Sequence, residues 1–257
     1  MELIVAGLDV RLGGRTVLRG VDAMFRPGRI TAILGPNGAG KSSLVKTMAA
    51  LITPVSGSVQ LGGRDVATLA PRERARSIGY LPQDGRAYWD VPVRDVVALG
   101  RLSYRSPFAA EAAADRAAIA EAMRATGTTA LAERGIATLS GGERARVLLA
   151  RTLAGTPDWL LADEPLAALD PSHQFDMLDR LRAVATAGRG VVIVLHDLLH
   201  AGRVADDVLL LRDGRVVAHG PVLETMTAAR LSAVFDIAVS VALDAHGRPV
   251  CIATGRG

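Results

Sequence analysis

The residues best suited to chemistry stand at Gly35-Pro36-Asn37-Gly38-Ala39-Gly40-Lys41-Ser42-Ser43, directly after the apolar run Ile30 to Leu34 and ahead of the helix-forming stretch Ser43 to Leu51. A strand, a glycine-rich loop and a helix in that order make a phosphate cradle. Glycines let backbone N–H groups close around phosphate oxygens, and the helix N-terminus adds partial positive charge. In a G-x-x-x-x-G-K-[ST] loop, Lys41 reaches the β- and γ-phosphates of a nucleoside triphosphate and the Ser42 hydroxyl ligates Mg²⁺. Of 30 basic residues only Lys41 and Lys46 are lysines. A lysine here, in a chain so rich in arginine, points to a need for the compact ammonium over the guanidinium fork.

Two further stretches could act on the same ligand. Asp158-Trp159-Leu160-Leu161-Ala162-Asp163-Glu164 is an apolar strand ending in adjacent carboxylates. Strand alternation sends their side chains in different directions, Asp163 towards the Mg²⁺ shell and Glu164 towards an attacking water. Leu139-Ser140-Gly141-Gly142-Glu143 opens a helix with Ser140 and Glu143 at capping-box spacing. Two glycines in a first turn lower helix stability by roughly 1 kcal/mol each relative to alanine. What they leave is bare N–H groups at a second anion-binding helix end. Taken singly, these stretches also fit a solvated acidic pair and an ordinary capped helix; beside the phosphate loop they read as parts of one site.

The elements that must position these residues follow from periodicity and turn signals. Residues 3–12 and 16–25 read as strands joined at Gly13-Gly14, and Pro27-Gly28 turns the chain into the strand feeding the phosphate loop. A short strand at 58–61, a helix at 71–77 and a buried strand at 78–83 follow. From about 85 to 156 the character is helical, with helices at 93–99, 110–126 and 141–154; Ile119 and Met123 lie four apart on one face of the second. Strands then alternate with helices: 158–163, a helix at 172–186 with Phe175, Leu178, Leu181 and Val184 inward, then 190–195, 197–205, 207–212 and 215–219. That alternation predicts an α/β fold around a mostly parallel sheet, with ligands at the carboxyl ends of its strands. The last twenty residues read as a strand pair around Ala245-His246-Gly247, and Asp170-Pro171 as an N-cap followed by the first helical residue.

With these pieces in place, the chain resembles the ATP-binding cassette (ABC) ATPases. The phosphate loop, Gln83, Leu139 to Glu143, Asp163-Glu164, Leu169-Asp170, and His196 after Val191 to Leu195 correspond in order and spacing to their Walker A, Q-loop, signature, Walker B, D-loop and H-loop. The resemblance implies a P-loop NTPase (RecA-like) core with an antiparallel β subdomain and an inserted helical subdomain. Residues 1–84 and 157–235 would form the core, 85–156 the helical subdomain and 236–257 a short C-terminal extension. It further implies ATP and Mg²⁺ as cofactors and a head-to-tail dimer with a second copy of the chain. Each ATP would lie between Gly35 to Ser42 of one copy and Ser140 to Glu143 of the other. By matching position, Gln83 would contact Mg²⁺ and the attacking water, Glu164 would be the general base, His196 would hydrogen-bond the γ-phosphate, and Asp170 would organise the dimer interface.

The chain departs from the family pattern at Leu12, where many members stack an aromatic residue on adenine; base recognition would then rest on apolar packing that distinguishes ATP from GTP poorly. Leu166 replaces a common Ser or Thr and Ala145 a frequent Gln, neither removing a catalytic group. His173, His200, His219 and His246 lack metal-ligand spacing.

Within the family, Tyr80 to Asp84, the pair Tyr88-Trp89, Val93 to Arg101, and His196-Asp197-Leu198 resemble the ATPases of iron–siderophore, haem and cobalamin importers. This implies transmembrane permease partners, a periplasmic or extracellular substrate-binding protein in the complex, and a peripheral place on the cytoplasmic face of the cell membrane. Tyr88-Trp89 would line a groove for a partner helix or else sit in the helical core. The competing reading is a soluble ABC ATPase acting on DNA or ribosomes. Ser42 and Leu139 are 97 residues apart, which leaves no room for a long coiled coil, and neither a zinc cluster nor a second cassette is present.

Composition sets the outer limits. The 257 residues suffice for one large α/β domain with a real core. Net charge is +4, with arginines scattered singly and in pairs, and aromatic content is 4%, so no nucleic-acid partner is expected. Cys251 is the single cysteine and reads as a small residue in a C-terminal strand, consistent with a reducing compartment. The N-terminus carries no evident signal peptide. No apolar run approaches the roughly 20 residues needed to span a bilayer, so a membrane role needs a partner.

Overall fold

An antiparallel hairpin opens the chain in the computed structural model, which describes residues 1–83, 90–105, 112–167 and 169–256. β1 (Leu3–Leu12) and β2 (Arg15–Phe25) turn at Gly13-Gly14, whose φ angles of 53° and 80° suit glycine in a tight connection. β3 (Ile30–Leu34), buried throughout, runs into the phosphate loop and α1 (Lys41–Met48). β4 (Ser56–Leu61) and the two-residue β5 (Arg64–Asp65) complete an antiparallel sheet in the order β2-β1-β4-β5. Then α2 (Pro71–Ser77) leads to β6 (Ile78–Leu81), and α3 (Val93–Ala98), α4 (Ala113–Ala125) and α5 (Gly141–Ala154) follow with no strand among the described residues between them. Alternation resumes with β7 (Trp159–Ala162), α6 (Pro171–Thr186), β8 (Gly190–Val194), α7 (Leu198–Val204), β9 (Asp207–Arg212) and β10 (Arg215–Pro221). Two helices, α8 (Val222–Thr225) and α9 (Ala228–Phe235), precede the C-terminal hairpin of β11 (Ile237–Leu243) and β12 (Pro249–Arg256).

The second sheet has the order β10-β9-β3-β8-β7-β6, parallel from β9 to β6 with β10 antiparallel at one edge. Its register decides where the site falls. β3, β8, β7 and β6 are neighbours, so the loops leaving their carboxyl ends emerge side by side on one edge. Residues 35–40, 195–197, 163–164 and 82–83 are therefore brought together although they are far apart in the chain.

Period-two alternation divides the core. Ile30, Ala32 and Leu34 of β3, with Val191 and Ile193 of β8, face the helical side built from α3 to α7. Ile33 with Val192 and Val194 faces the other way, against Leu44, Val45 and Met48 of α1 and the antiparallel sheet beyond it. Each of the valine, leucine, isoleucine and methionine side chains contributes roughly 1.5–3 kcal/mol on burial, which clamps the helix following the phosphate loop between two sheets.

Three details differ from the sequence reading. Phe175 is 36% exposed; it lies in the first turns of α6, where the helix overhangs α7, and its ring meets the edge of His200 at 5.6 Å with the Arg203 guanidinium over it. Leu178, Leu181 and Val184 are buried as expected, joined by Met177 and Ala185. Asp170 occupies the N-cap position ahead of Pro171, but its side chain makes no capping hydrogen bond. The helices α8 and α9 had no counterpart in the sequence reading. Asp84 and the pair Tyr88-Trp89 lie outside the described residues. Among the described residues no helix is long and apolar enough to cross a membrane.

At the amino end of the sheet, opposite the site, Asp206 accepts hydrogen bonds from Arg182 Nη1 at 2.8 Å and the Ile30 N–H at 2.8 Å. Burial alone would raise its carboxyl, but Arg182, the Ile30 N–H and the charge of Arg29 outweigh that and hold it below the ordinary value of 3.8. With the folded value below the unfolded one, this stabilisation is complete above about pH 4 and is lost as pH falls through the folded value. Asp206→Ala is expected to lower unfolding free energy at pH 7 by about 1–3 kcal/mol. Chemical denaturation at pH 7 and pH 3 checks this: the difference from the parent chain should be smaller at the lower pH.

Candidate nucleotide-binding site

The phosphate loop curls over the carboxyl end of β3. Gly40 sits at the N-cap of α1 with φ 102°, and a Cβ there would come within 2.7 Å of both Leu18 Cδ2 and the Val17 carbonyl. At Gly35 a Cβ would lie 2.0 Å from the Leu211 carbonyl oxygen. Both positions therefore require glycine, for conformation and space at one and for space at the other. The loop borders an open cleft of about 240 Å³ lined by Val17, Asn37, Gly38, Gly40, Lys41, Ser42, Ser43 and Glu164. Leu12, at the end of β1, is 41% exposed and does not line this cleft.

Lys41 is buried, its Nζ donating to the carbonyls of Gly35 at 2.8 Å and Pro36 at 3.0 Å. Burial pushes its pKa down, and the nearby carboxylates of Glu164 and Asp163 only partly offset this. A cation so held gains from an anion that enters the loop. The α1 N-terminus points the same way, as β3 and α1 meet across the loop.

Asp163 and Glu164 take separate positions, by a different means from the strand alternation that the sequence suggested. β7 ends at Ala162. Asp163 keeps sheet register, its N–H donating to the Leu81 carbonyl at 2.9 Å, whereas Glu164 turns out with φ 51°. A non-glycine residue at such an angle is sparsely populated and held by its surroundings. The turn, not the pleat, separates the two carboxylates.

Asp163 is 1% exposed, and its carboxylate accepts from Ser42 Oγ at 2.7 Å and from Tyr80 OH at 3.1 Å, with Lys46 Nζ 4.0 Å away. Glu164 stands at the lip of the cleft between two other loop residues. Gln83 Nε2 donates to its Oε2 at 2.6 Å, and His196 Nε2 lies 2.6 Å from its Oε1. Thus Gln83, Asp163, Glu164 and His196, from three loops, meet the phosphate loop at one edge of the sheet. Sequence reasoning missed Tyr80 and Lys46 as neighbours of Asp163. The signal for Tyr80 was a phenol in the otherwise apolar strand Ile78 to Leu81; on β6 it pairs with Leu161 of β7, two residues before Asp163. Burial, then the Asp163 charge, holds its phenol well above the ordinary tyrosine range.

Ser140, Gly141, Gly142 and Glu143 form the other anion-friendly end. The capping box is complete: Glu143 N–H donates to Ser140 Oγ at 3.2 Å and Ser140 N–H to Glu143 Oε2 at 2.8 Å. Among the described residues each of these two side chains accepts from the backbone N–H of the other residue, Glu143 also from Arg134, and neither bonds the phosphate loop. Gly142 is packed so that a Cβ would lie 2.4 Å from the His173 ring, which ties this turn to the start of α6 three residues past Asp170. Within one copy, then, Ser140 to Glu143 do not line the cleft beside the phosphate loop.

A glycine-rich phosphate loop at the carboxyl edge of a parallel sheet, with a buried aspartate on its serine, defines a P-loop nucleotide-binding protein. The family model described as ABC transporter matches residues 18–167, and the chain belongs to that family. It is 46% identical over 235 residues to the Hemin import ATP-binding protein HmuV of Streptomyces coelicolor, covering 91% of this chain and 83% of that protein. It is 42% identical over 245 residues to the Cobalamin import ATP-binding protein BtuD of Halobacterium salinarum, covering 95% of this chain but spanning only 61% of that protein's length. Its structure is similar, with a TM-score of 0.85 and 26% identity over 98% of this chain and 96% of the other, to a chain of a metal-chelate type ABC transporter in an inward-facing conformation.

Proposed function

We propose that the chain is the ATP-hydrolysing, energy-coupling subunit of an ABC importer for a metal chelate of the haem, cobalamin or iron–siderophore class. The observation that carries this reading is the Glu164 carboxylate, held by Gln83 and His196 at the lip of the phosphate cleft. ATP binds with its β- and γ-phosphates in Gly35 to Ser43 and its charge met by Lys41 and the α1 N-terminus. Ser42 Oγ and the Asp163 carboxylate, 2.7 Å apart, are hard oxygen donors of the kind Mg²⁺ takes alongside phosphate oxygens. Bound there, Mg²⁺ would neutralise charge developing between the β- and γ-phosphates.

The chain's own groups perform the rest. The γ-phosphate offers His196 and Gln83 a competing acceptor, so its arrival releases them from Glu164, whose freed carboxylate takes a proton from the attacking water. Ser140, Gly141 and Gly142 of a second copy close the other side of the ATP, with Glu143 completing the cap and Asp170 at the interface. The Asp170 side chain, which makes no capping hydrogen bond, and the absence of Ser140 to Glu143 from the lining of the cleft support this arrangement. The helical subdomain assigned to residues 85–156 carries Ser140, and in the C-terminal extension assigned to 236–257 β12 packs on α7. The chain sits peripherally at the cytoplasmic face of the cell membrane, and permease subunits in the membrane with a periplasmic or extracellular substrate-binding protein complete the complex.

Affinity purification of the tagged chain from detergent-solubilised membranes tests the assignment. A polytopic permease should co-purify, and its cargo-loaded binding protein should stimulate ATP hydrolysis. Recovery with ribosomes or DNA, and no permease, would favour the soluble alternative.

A further inference from the structure

Arg134 has been given no role so far, yet it is the cation paired with the carboxylate in the first turn of α5. Its Nη1 donates to Glu143 Oε1 at 3.0 Å and its Nη2 to the Thr138 carbonyl at 3.0 Å. The other Glu143 oxygen accepts the Ser140 N–H. The backbone N–H of Ser140, then its hydroxyl and then Arg134, keep the Glu143 carboxyl below the usual range against the opposing effect of burial, so it is a carboxylate at neutral pH. A helix end meant to receive a phosphate therefore carries a negative charge in its own first turn. The first intrahelical bond runs from Arg144 N–H to the Ser140 carbonyl at 2.9 Å, which leaves the Gly141 and Gly142 amides ahead of the ladder, beside that charge.

Stability does not account for the arginine. The pair is partly exposed, 44% at Arg134 and 23% at Glu143, and pairs of this kind add little to folding. The backbone around Arg134 is nonetheless well fixed: its carbonyl accepts from Val93 N–H at 2.9 Å, and the Ile136 N–H donates to the Val91 carbonyl at 3.0 Å. The guanidinium is thus a planar fork of fixed position, both of its Nη groups engaged and one of them on the carboxylate that would otherwise repel an incoming phosphate.

We propose that Arg134 is a positioning residue for the nucleotide supplied by a second copy of this chain: it neutralises Glu143 and orients the capping box, so that Ser140 and the Gly141 and Gly142 amides meet the γ-phosphate without opposition. This rests on the head-to-tail dimer proposed above. The role is electrostatic, and it predicts an unusual rescue. Gln at position 143 keeps the capping box, because Gln serves there as well as Glu, and removes the charge that Arg134 offsets.

The test uses the full-length chain with Glu164→Gln, so that ATP is bound but not consumed, and measures dimer formation with Mg²⁺ and ATP by sedimentation velocity. Arg134→Ala is expected to weaken the ATP-driven dimer about ten-fold, the change that about 1.4 kcal/mol represents, with fluorescent-ATP binding by the dilute monomer unchanged. Arg134→Lys keeps the charge and should lie within about three-fold of the parent, or about 0.65 kcal/mol. Arg134→Ala combined with Glu143→Gln should recover to the same level. Dimerisation of Arg134→Ala equal to the parent would overturn the proposal, as would a double variant as weak as the single one, since loss of local structure would not be repaired by removing a charge. If the Glu164→Gln parent forms no dimer with ATP, the head-to-tail reading itself fails and this proposal with it, an outcome distinct from the other two.

Discussion

Glu164→Gln is expected to bind ATP as tightly as the parent chain yet hydrolyse it about 10²- to 10⁴-fold more slowly, the contribution typical of a positioned general base. The amide keeps the shape of the side chain and can still hydrogen-bond Gln83 and His196, which hold the carboxylate at 2.6 Å on either side. What it loses is the capacity to take a proton from water. Single-turnover hydrolysis with radiolabelled ATP, alongside equilibrium binding, separates the two effects. A Glu164→Gln chain that hydrolyses at the parent rate would remove Glu164 from the role of base and leave the lip of the cleft without one.

Lys41→Ala should produce the second large effect, and in the opposite parameter. Nucleotide affinity is expected to fall about 10- to 100-fold, as for loss of a hydrogen bond and charge to an ionised group. The nucleotide-free fold should change little, because the buried ammonium contributes its two hydrogen bonds to loop carbonyls at the cost of its own desolvation. Lys41→Arg is not expected to restore binding, since a planar fork does not fit where a point charge serves. Titration calorimetry with ATP, together with thermal unfolding of the nucleotide-free chain, checks both statements. Affinity retained by Lys41→Ala would mean that the loop amides alone hold the phosphates.

The distance between these two residues in the chain shows what could be read before the fold was known. The phosphate loop was legible because its chemistry is local: a buried strand, glycines where a Cβ has no room and a lysine follow one another without a break from Ile30 to Lys41. The carboxyl edge was legible too, since the apolar runs of β6, β7 and β8 are followed within two residues by Gln83, Asp163 and His196, and that of β3 by the phosphate loop. Pairings between strands were not. Tyr80 meets Asp163 only because β6 and β7 lie side by side in parallel register, a neighbourhood that no periodicity encodes. Glu164 reaches Gln83 and His196 through a left-handed turn, which an L-residue adopts only when its surroundings enforce it. Phe175 misled for the converse reason: helical spacing placed it on the apolar face of α6, but the partner at that end is α7 and its Arg203, not the core. The segment from 222 to 235 escaped because its two helices are short, four and eight residues, and helices of that length owe their stability to docking rather than to propensity.

Closure of Ser140 to Glu143 over the nucleotide held by the phosphate loop of a second copy is the proposal on which the functional account depends. Its most direct test is the specific rate of ATP hydrolysis by the full-length chain as protein concentration is lowered through the dimerisation range, with oligomeric state followed by sedimentation in the same samples. If each active site is assembled from two copies, turnover per chain falls in step with the dimer fraction and vanishes in the monomer limit. A monomeric sample that hydrolyses ATP at an undiminished rate would contradict the account.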